Sequence, residues 1–457
     1  MERGHNVTLL RIVPENDLSD SMLAKVPEGC HTIDIHCFWS EPKARQLWNE
    51  ILDGNIWSDS NNIRAYSFFA IYFGWPLVVR PTLELGRRPE LIARLKSHNF
   101  DLIVLDQEIQ PWAHILANEL DIPYVLLSIS IDNRLTDVAA GNPTPFAYVP
   151  DIAIDNYSDR MGFLQRIDNV IFHMIYTGYS YWRGLQLIVS WFTAWKEARL
   201  LPKMVMRMNH DFFDFPRPKV RTNVYVGRKD TLPDLKSSTK SRTADAQKVL
   251  VSFTTLGQRG MPPSLTGKLR SAFQRVPNIT FYWRNKDRVH NSTDGNIKYM
   301  EWIDFGRFMN DPDTSLFVSH AGSAGVLEAS RYGVPALNIP FGLDHYGVSS
   351  RIQRMGSARQ VTKHEVMTGS ELDVSLKEML DGESYQQRAT KLAQFYKDDE
   401  KLFPQNPIVY WLEFALRKRA QLHRLSSVGQ FLSVPVYFGC DIALTLLITL
   451  VFVLAYN

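Results

Sequence analysis

Cysteine is scarce in this chain. The three present, Cys30, Cys37 and Cys440, are too few for a disulfide framework. A Cys30–Cys37 bridge is one option, and two unrelated thiols are favoured on so low a count. No Cys/His spacing resembles a zinc site. One-sided charge is lacking too: the net charge is +3, with no basic block, which removes nucleic acid as a partner. The first residues, Met1-Glu-Arg-Gly-His-Asn-Val-Thr-Leu-Leu, hold no apolar leader and no cleavage site. They read as the end of a helix, a Gly stop and a strand over Val7–Ile12. A start inside a strand–helix–strand unit is the expectation for a truncated chain. Internal repeats and low-complexity tracts are absent as well.

What is present describes a sizeable globular protein. The 457 residues suit two or three domains, and 45% hydrophobic with 22% charged residues is ordinary for a packed core. One long apolar run stands out at the C-terminal end. Residues 434–456 carry Asp441 as their only charge and follow Arg417-Lys-Arg and Arg424. A run near ~20 residues, terminal and preceded by basic residues, is expected to be a membrane anchor rather than a core helix. The basic flank alone would place the main body in the cytosol. Four Asn-x-Ser/Thr sequons, at Asn6, Asn156, Asn278 and Asn291, point weakly the other way, to a lumenal body.

Strand-like and helix-like runs alternate twice along the chain. In the first half Val7–Ile12, Thr32–Ile35, Phe100–Asp106 and Ile122–Ser128 read as strands, Gln110–Glu119 as a helix, and Met161–Leu200 as a long aromatic helical block. Phe215-Pro-Arg-Pro-Lys is a breaker cluster and a linker candidate. Alternation then restarts with strands at Lys248–Phe253, Ile279–Trp283, Ser315–Ser319 and Val334–Ile339, and helices at Pro263–Arg275, Ser323–Arg331 and His345–Met355. Helices follow at Glu371–Leu380, Tyr385–Tyr396 and Ile408–Leu425. Two such series predict an α/β protein with two Rossmann-like domains facing a cleft. The expected division is 1–218, 219–400, a helix and membrane-proximal segment over 401–433, and the anchor over 434–456.

The richest stretch is Phe317-Val-Ser-His-Ala-Gly-Ser-Ala-Gly-Val-Leu-Glu328, running on to Ile339-Pro-Phe-Gly-Leu-Asp-His345. It reads as a buried strand, a turn of small residues and a helix. A helix opened by Ala-Gly-Ser-Ala-Gly offers unpaired N–H groups and the positive end of a dipole, where a diphosphate can sit. Asp344 and His345 follow at a second strand end, where parallel sheets bind ligands.

Here the chain resembles the UDP-glycosyltransferase family, in its membrane-anchored animal branch that includes the UDP-glucuronosyltransferases. The span from Trp302 to His345 agrees in spacing without a gap, with Gly333-Val-Pro335 and Ile339-Pro340 in register. Arg3-Gly-His-Asn-Val-Thr8, Phe100–Asp106, Tyr148-Val-Pro150, Tyr410–Arg417 and the terminal run also match. The resemblance implies the GT-B fold, with UDP-sugar held by the second domain and a small lipophilic acceptor by the first. It implies an inverting transfer without metal or other cofactor, an endoplasmic-reticulum location with a lumenal body, and a homo- or hetero-oligomer as an option.

The resemblance assigns roles residue by residue. Trp302 stacks on uracil, and His320, Gly322, Ser323 and Gly325 take the diphosphate, with Thr255 nearby. Glu328 holds the ribose hydroxyls, while Asp344 and His345 bond the sugar. Asp106 matches the acid that orients a base histidine, which would precede Gly4 and so is not in this sequence. His5 fits a structural strand-start position, and nothing in the spacing of His31 or His36 makes either a substitute. Several positions depart from the family's pattern: Ala321 for Gly, Ala324 for Asn, Phe305 for Gln, Thr254 for Gly and His345 for Gln. The last occurs in some galactose-transferring relatives. A non-catalytic UDP-sugar-binding subunit is the alternative that the missing base leaves open.

Overall fold

The computed structural model describes residues 3–12, 26–35, 88–106, 113–128, 145–151, 157–175, 204–227, 247–253, 261–285, 292–342, 344–369, 371–402, 406–418, 421–425 and 439–456, with residues 137, 142, 258 and 436. Parallel strands dominate. A pair, β1 (Thr8–Ile12) and β2 (His31–Ile35), lies beside a four-stranded sheet in the order β3 (Ile103–Asp106), β4 (Tyr124–Ser128), β5 (Met204–Arg207) and β6 (Asn223–Tyr225). Helices α1 (Pro89–Lys96) and α2 (Ala113–Leu120) cover this region, and their Leu91, Leu95, Leu116 and Leu120 bury against Ile33, Ile35, Leu105 and Leu126. A third helix, α3, spans residues 163–175. The rest of the expected Met161–Leu200 helical block lies outside the described residues, as do His36, Cys37, Thr254 and Thr255.

The second sheet has seven strands in the order β13-β12-β11-β7-β8-β10-β9. These are β7 (Lys248–Ser252), β8 (Thr280–Arg284), β9 (Thr293–Asp294), β10 (Ile297–Met300), β11 (Thr314–Ser319), β12 (Ala336–Asn338) and β13 (Ala358–Gln360). All neighbours pair in parallel except β9 with β10, an antiparallel edge hairpin turned at Gly295 with φ +60. The helices are α4 (Pro263–Gln274), α5 (Phe305–Met309), α6 (Ser323–Arg331), α7 (His345–Arg354), α8 (Lys363–Thr368), α9 (Glu371–Asp381) and α10 (Glu383–Leu402). Every residue of the central β11 is buried, and Val249, Leu250 and Val251 of β7 are wholly buried. That is why both strands read as near-continuous apolar runs: helices cover both faces of a parallel sheet.

Two expectations are revised. The Phe215-Pro-Arg-Pro cluster does not end the first unit, because it lies between β5 and β6 and the first sheet continues to Tyr225. The helix expected over Ile408–Leu425 stops at Arg417 and resumes as a 3-10 turn at Leu422–Leu425. This helix, α11 (Pro407–Arg417), packs Trp411, Leu412, Phe414 and Ala415 onto Val125, Met204, Met206 and Val224 of the first sheet. The chain therefore returns to its first half after completing the second. Helix α12 (Cys440–Tyr456) has 17 residues, and no helix among the described residues is long and apolar enough to cross a membrane.

Candidate functional site: the strand ends of the second sheet

The chain runs outward from β7 in both directions, to β8 and β10 on one side and to β11, β12 and β13 on the other. The reversal point of such a sheet lies between β7 and β11, and the space beyond their carboxyl ends is where sheets of this kind hold ligands. Ser252 and Ser319 are register partners at those ends. His320 follows immediately and leads through Ala321 and Gly322 into α6.

Gly322 is the N-cap of α6, with no side-chain cap bond and ordinary extended backbone, φ −65 and ψ 134. Its lack of a side chain is required by its neighbour. A Cβ there would lie 2.4 Å from His320 Nε2 and 2.9 Å from its Cε1, so the imidazole fills that space. Gly325 is similarly tight, with a Cβ position 3.2 Å from two ring atoms of Phe317. Ala321 adopts φ +67, the left-handed region that disfavours a side chain. Its N–H donates to Ser319 Oγ at 3.0 Å, and Ser319 Oγ in turn bonds Asn338 Oδ1 at 3.1 Å. Asn338 Nδ2 then reaches Ser349 Oγ at 3.3 Å, so β11, β12 and α7 are tied together behind the turn.

Asp344 and His345 open α7 directly across from this turn. Ser323 Oγ donates to Asp344 Oδ2 at 3.0 Å, which joins the starts of α6 and α7. The His345 ring meets His320 edge-on, with centroids 4.7 Å apart, and Phe341 stacks on His320 at 5.3 Å. The Nδ1 atoms of both histidines are buried without a hydrogen-bond partner. Burial pushes His320 down from 6.5 to about 3, helped by the neighbouring His345, and burial does the same to His345. Both imidazoles are therefore neutral at physiological pH. Burial raises the Asp344 carboxyl, while the Ser323 hydrogen bond opposes that rise. The group thus offers neutral N–H donors, a helix N-terminus and one acceptor carboxyl.

The structure brings His320, Gly322, Ser323, Asp344 and His345 into one contact group. Glu328 lies farther along α6 and is buried. Trp302, just past the end of β10, exposes 66% of its surface, so its ring is open to a ligand. Phe305, where an amide was expected, packs edge-on against Phe317 at 6.0 Å and lies under the Arg284 guanidinium at 6.0 Å. Asp106 ends β3 in the first sheet. His5 hydrogen-bonds Glu413 of α11 at 3.2 Å, a structural partner for that ring. Phe341 was not picked out from the sequence. The available signal was an aromatic residue three positions past the end of β12.

The family described as "UDPGT: UDP-glucoronosyl and UDP-glucosyl transferase" matches residues 83–456. The chain is similar to 2-hydroxyacylsphingosine 1-beta-galactosyltransferase of Mus musculus, 29% identical over 391 residues, covering 80% of this chain and 69% of that one. It is also similar to UDP-glucuronosyltransferase 2C1 of Oryctolagus cuniculus, 25% identical, covering 97% and 90% respectively. Among solved structures, the calicheamicin glycosyltransferase CalG4 superposes with a TM-score of 0.53 at 14% identity over 92% of both chains. That likeness places the fold as GT-B.

Proposed function

The chain belongs to the UDP-glucuronosyl and UDP-glucosyl transferase family, a family of UDP-sugar glycosyltransferases, and from that premise we propose which sugar it moves and to what. It transfers an uncharged hexose from a UDP-sugar to a hydroxyl of a small lipophilic acceptor, with inversion. The observation that carries this reading is the His320–Ser323–Asp344–His345 group at the start of α6 and α7. The diphosphate sits on the α6 N-terminus and the His320 imidazole. The sugar hydroxyls meet Asp344 and His345. A glucuronate would bring its carboxylate to one acid and two neutral imidazoles, which supply no positive charge. A hexose hydroxyl needs none. Relatives named for galactose transfer and relatives named for glucuronic acid transfer are both similar to the chain, so the preference rests on the chemistry of this group.

In the reaction, the acceptor oxygen bonds to the anomeric carbon as the bond from that carbon to the diphosphate oxygen breaks. The acceptor proton passes to a base and UDP departs. Asp106, at the end of β3, is the residue assigned to orient that base. The C-terminal α12 anchors the protein to the endoplasmic-reticulum membrane with its body in the lumen; the exposed leucines, isoleucines and phenylalanine of α12 support the anchor, and the Asn-x-Ser/Thr sequons support the lumenal body.

Calorimetric titration tests the site. UDP-sugar affinity falls in His320→Ala and in Asp344→Ala, and unchanged affinity in both sinks the assignment. Competition among UDP-galactose, UDP-glucose and UDP-glucuronate tests the sugar, and tightest binding of UDP-glucuronate contradicts the hexose reading.

A further inference from the structure

Helix α7 has two attachments. Its Val348 and Ile352 lie in a core with Val326, Leu327 and Leu392 of the second half and Phe213 of the first. Its opposite side reaches the first half through three side chains. Ser350 Oγ donates to the Tyr157 carbonyl at 2.6 Å, Arg351 Nε to Asp214 Oδ1 at 3.3 Å, and an Arg354 nitrogen lies 2.9 Å from Asp159. Arg351 also lies over the Phe215 ring at 4.4 Å.

Asp214 is built to hold that arginine. Its side chain is fully buried. One oxygen accepts the Phe215 N–H at 2.8 Å along with Arg351. The other accepts from Arg217 at 2.9 Å and from the Tyr225 hydroxyl at 2.9 Å. Arg217 continues to Asp137 at 2.8 Å, and Asp137 also pairs with Arg207 of β5. The network is thus rooted in the first sheet and ends on α7, two turns from Asp344. A carboxylate so fully bonded is fixed in position, and charges this buried are costly to move singly.

We infer that Asp214 and Arg351 are positioning residues, which seat α7 between the two halves so that Asp344 and His345 stay against His320 and Ser323. This rests on the reading of Asp344 and His345 as the sugar-binding pair. The sugar half of the donor then depends on a contact made by the acceptor-side half. UDP itself, held by α6, depends on it little.

The test is calorimetric titration of the full-length protein with UDP and with the tightest of UDP-galactose, UDP-glucose and UDP-glucuronate. The readout is the ratio of the UDP Kd to the UDP-sugar Kd. Asp214→Asn is expected to lower this ratio roughly 2- to 30-fold, the range for coupling through packed networks, with the UDP Kd within about twofold of wild type. Arg354→Ala breaks a link at the surface, so it keeps the fold intact and is expected to lower the ratio in the same direction by a smaller factor; Arg354→Lys restores it. Asp344→Ala is the control for the underlying reading. If it lowers the ratio while Asp214→Asn and Arg354→Ala do not, the positioning role is overturned and the site assignment stands. If Asp344→Ala leaves the ratio unchanged, the sugar assignment itself falls. Parallel loss of UDP and UDP-sugar affinity in Asp214→Asn and Arg354→Ala assigns the network a general structural role and also overturns the inference.

Discussion

Gly322→Ala isolates the contribution of one imidazole. The backbone at Gly322 is extended, with φ −65 and ψ 134, so alanine adopts it without strain. The new methyl would lie 2.4 Å from His320 Nε2, well inside contact distance, so the ring must swing by about 1 Å or more to reach an ordinary separation of about 3.5 Å. A hydrogen bond from that ring to a charged diphosphate is worth about 1.5–3 kcal/mol. Losing it is expected to weaken UDP roughly 10- to 150-fold, at 1.4 kcal/mol per tenfold. The assay is calorimetric titration with UDP in a double-mutant cycle with His320→Ala. In that background the clash is gone, so the second substitution is expected to cost less than about 0.5 kcal/mol, the noise of additivity. Wild-type UDP affinity in Gly322→Ala refutes the reasoning. So does full additivity of the two losses, because the glycine would then act on something other than His320.

Three further outcomes follow from the same geometry. Ala321→Gly relieves a left-handed alanine at φ +67 and is expected to stabilise the fold by about 1 kcal/mol in urea denaturation; a loss of stability would contradict the strain. His320 and His345 titrate near 3 in the folded protein, whereas the unfolded chain takes up those protons below about 6.5. Stability is therefore full above pH 6.5 and falls as pH drops toward 3, by up to about 1.4 kcal/mol per pH unit for each histidine. The raised Asp344 works in the opposite sense just above 3.8. His345→Gln is accordingly expected to flatten the pH 5 to 6.5 slope by about one proton, measured by denaturation at several pH values. Removing residues 439–456, whose large apolar side chains are exposed, is expected to leave the thermal midpoint unchanged while releasing the protein from membranes; a lowered midpoint would make α12 a core element. If the body is lumenal, Asn278, exposed in the turn before β8, carries a glycan that glycosidase treatment removes.

The donor side was legible because its signals are local. A fully buried β11 shows as the apolar Leu316–Val318 between small hydroxyl residues, and α6 begins at Ser323 and ends at Arg331, as its small-residue opening and spacing imply. Strands β5 and β6 were not found. Met204–Arg207 is entirely buried, yet it ends in an arginine whose partner, Asp137, lies 70 residues away. A buried ion pair at that separation leaves no trace in a local hydrophobic pattern. The same holds for Phe215-Pro-Arg-Pro, whose prolines read as a linker while Arg217 anchors it to Asp137 and Asp214. Strands β9 and β10 form a short edge hairpin with alternating exposure, too brief for a period to emerge. The return of α11 to the first sheet is tertiary as well: its apolar face is visible in sequence, but its destination is not.

The central claim is that a UDP-sugar binds where β11 turns into α6, against the start of α7. Hydrogen exchange of the full chain, read with and without UDP, addresses it directly. The account expects UDP to slow exchange at the amides of Ser323, Ala324 and Gly325, whose N–H groups open α6, and His320→Ala to abolish most of that protection. Protection confined to the first sheet, or none at the α6 N-terminus at saturating UDP, contradicts it.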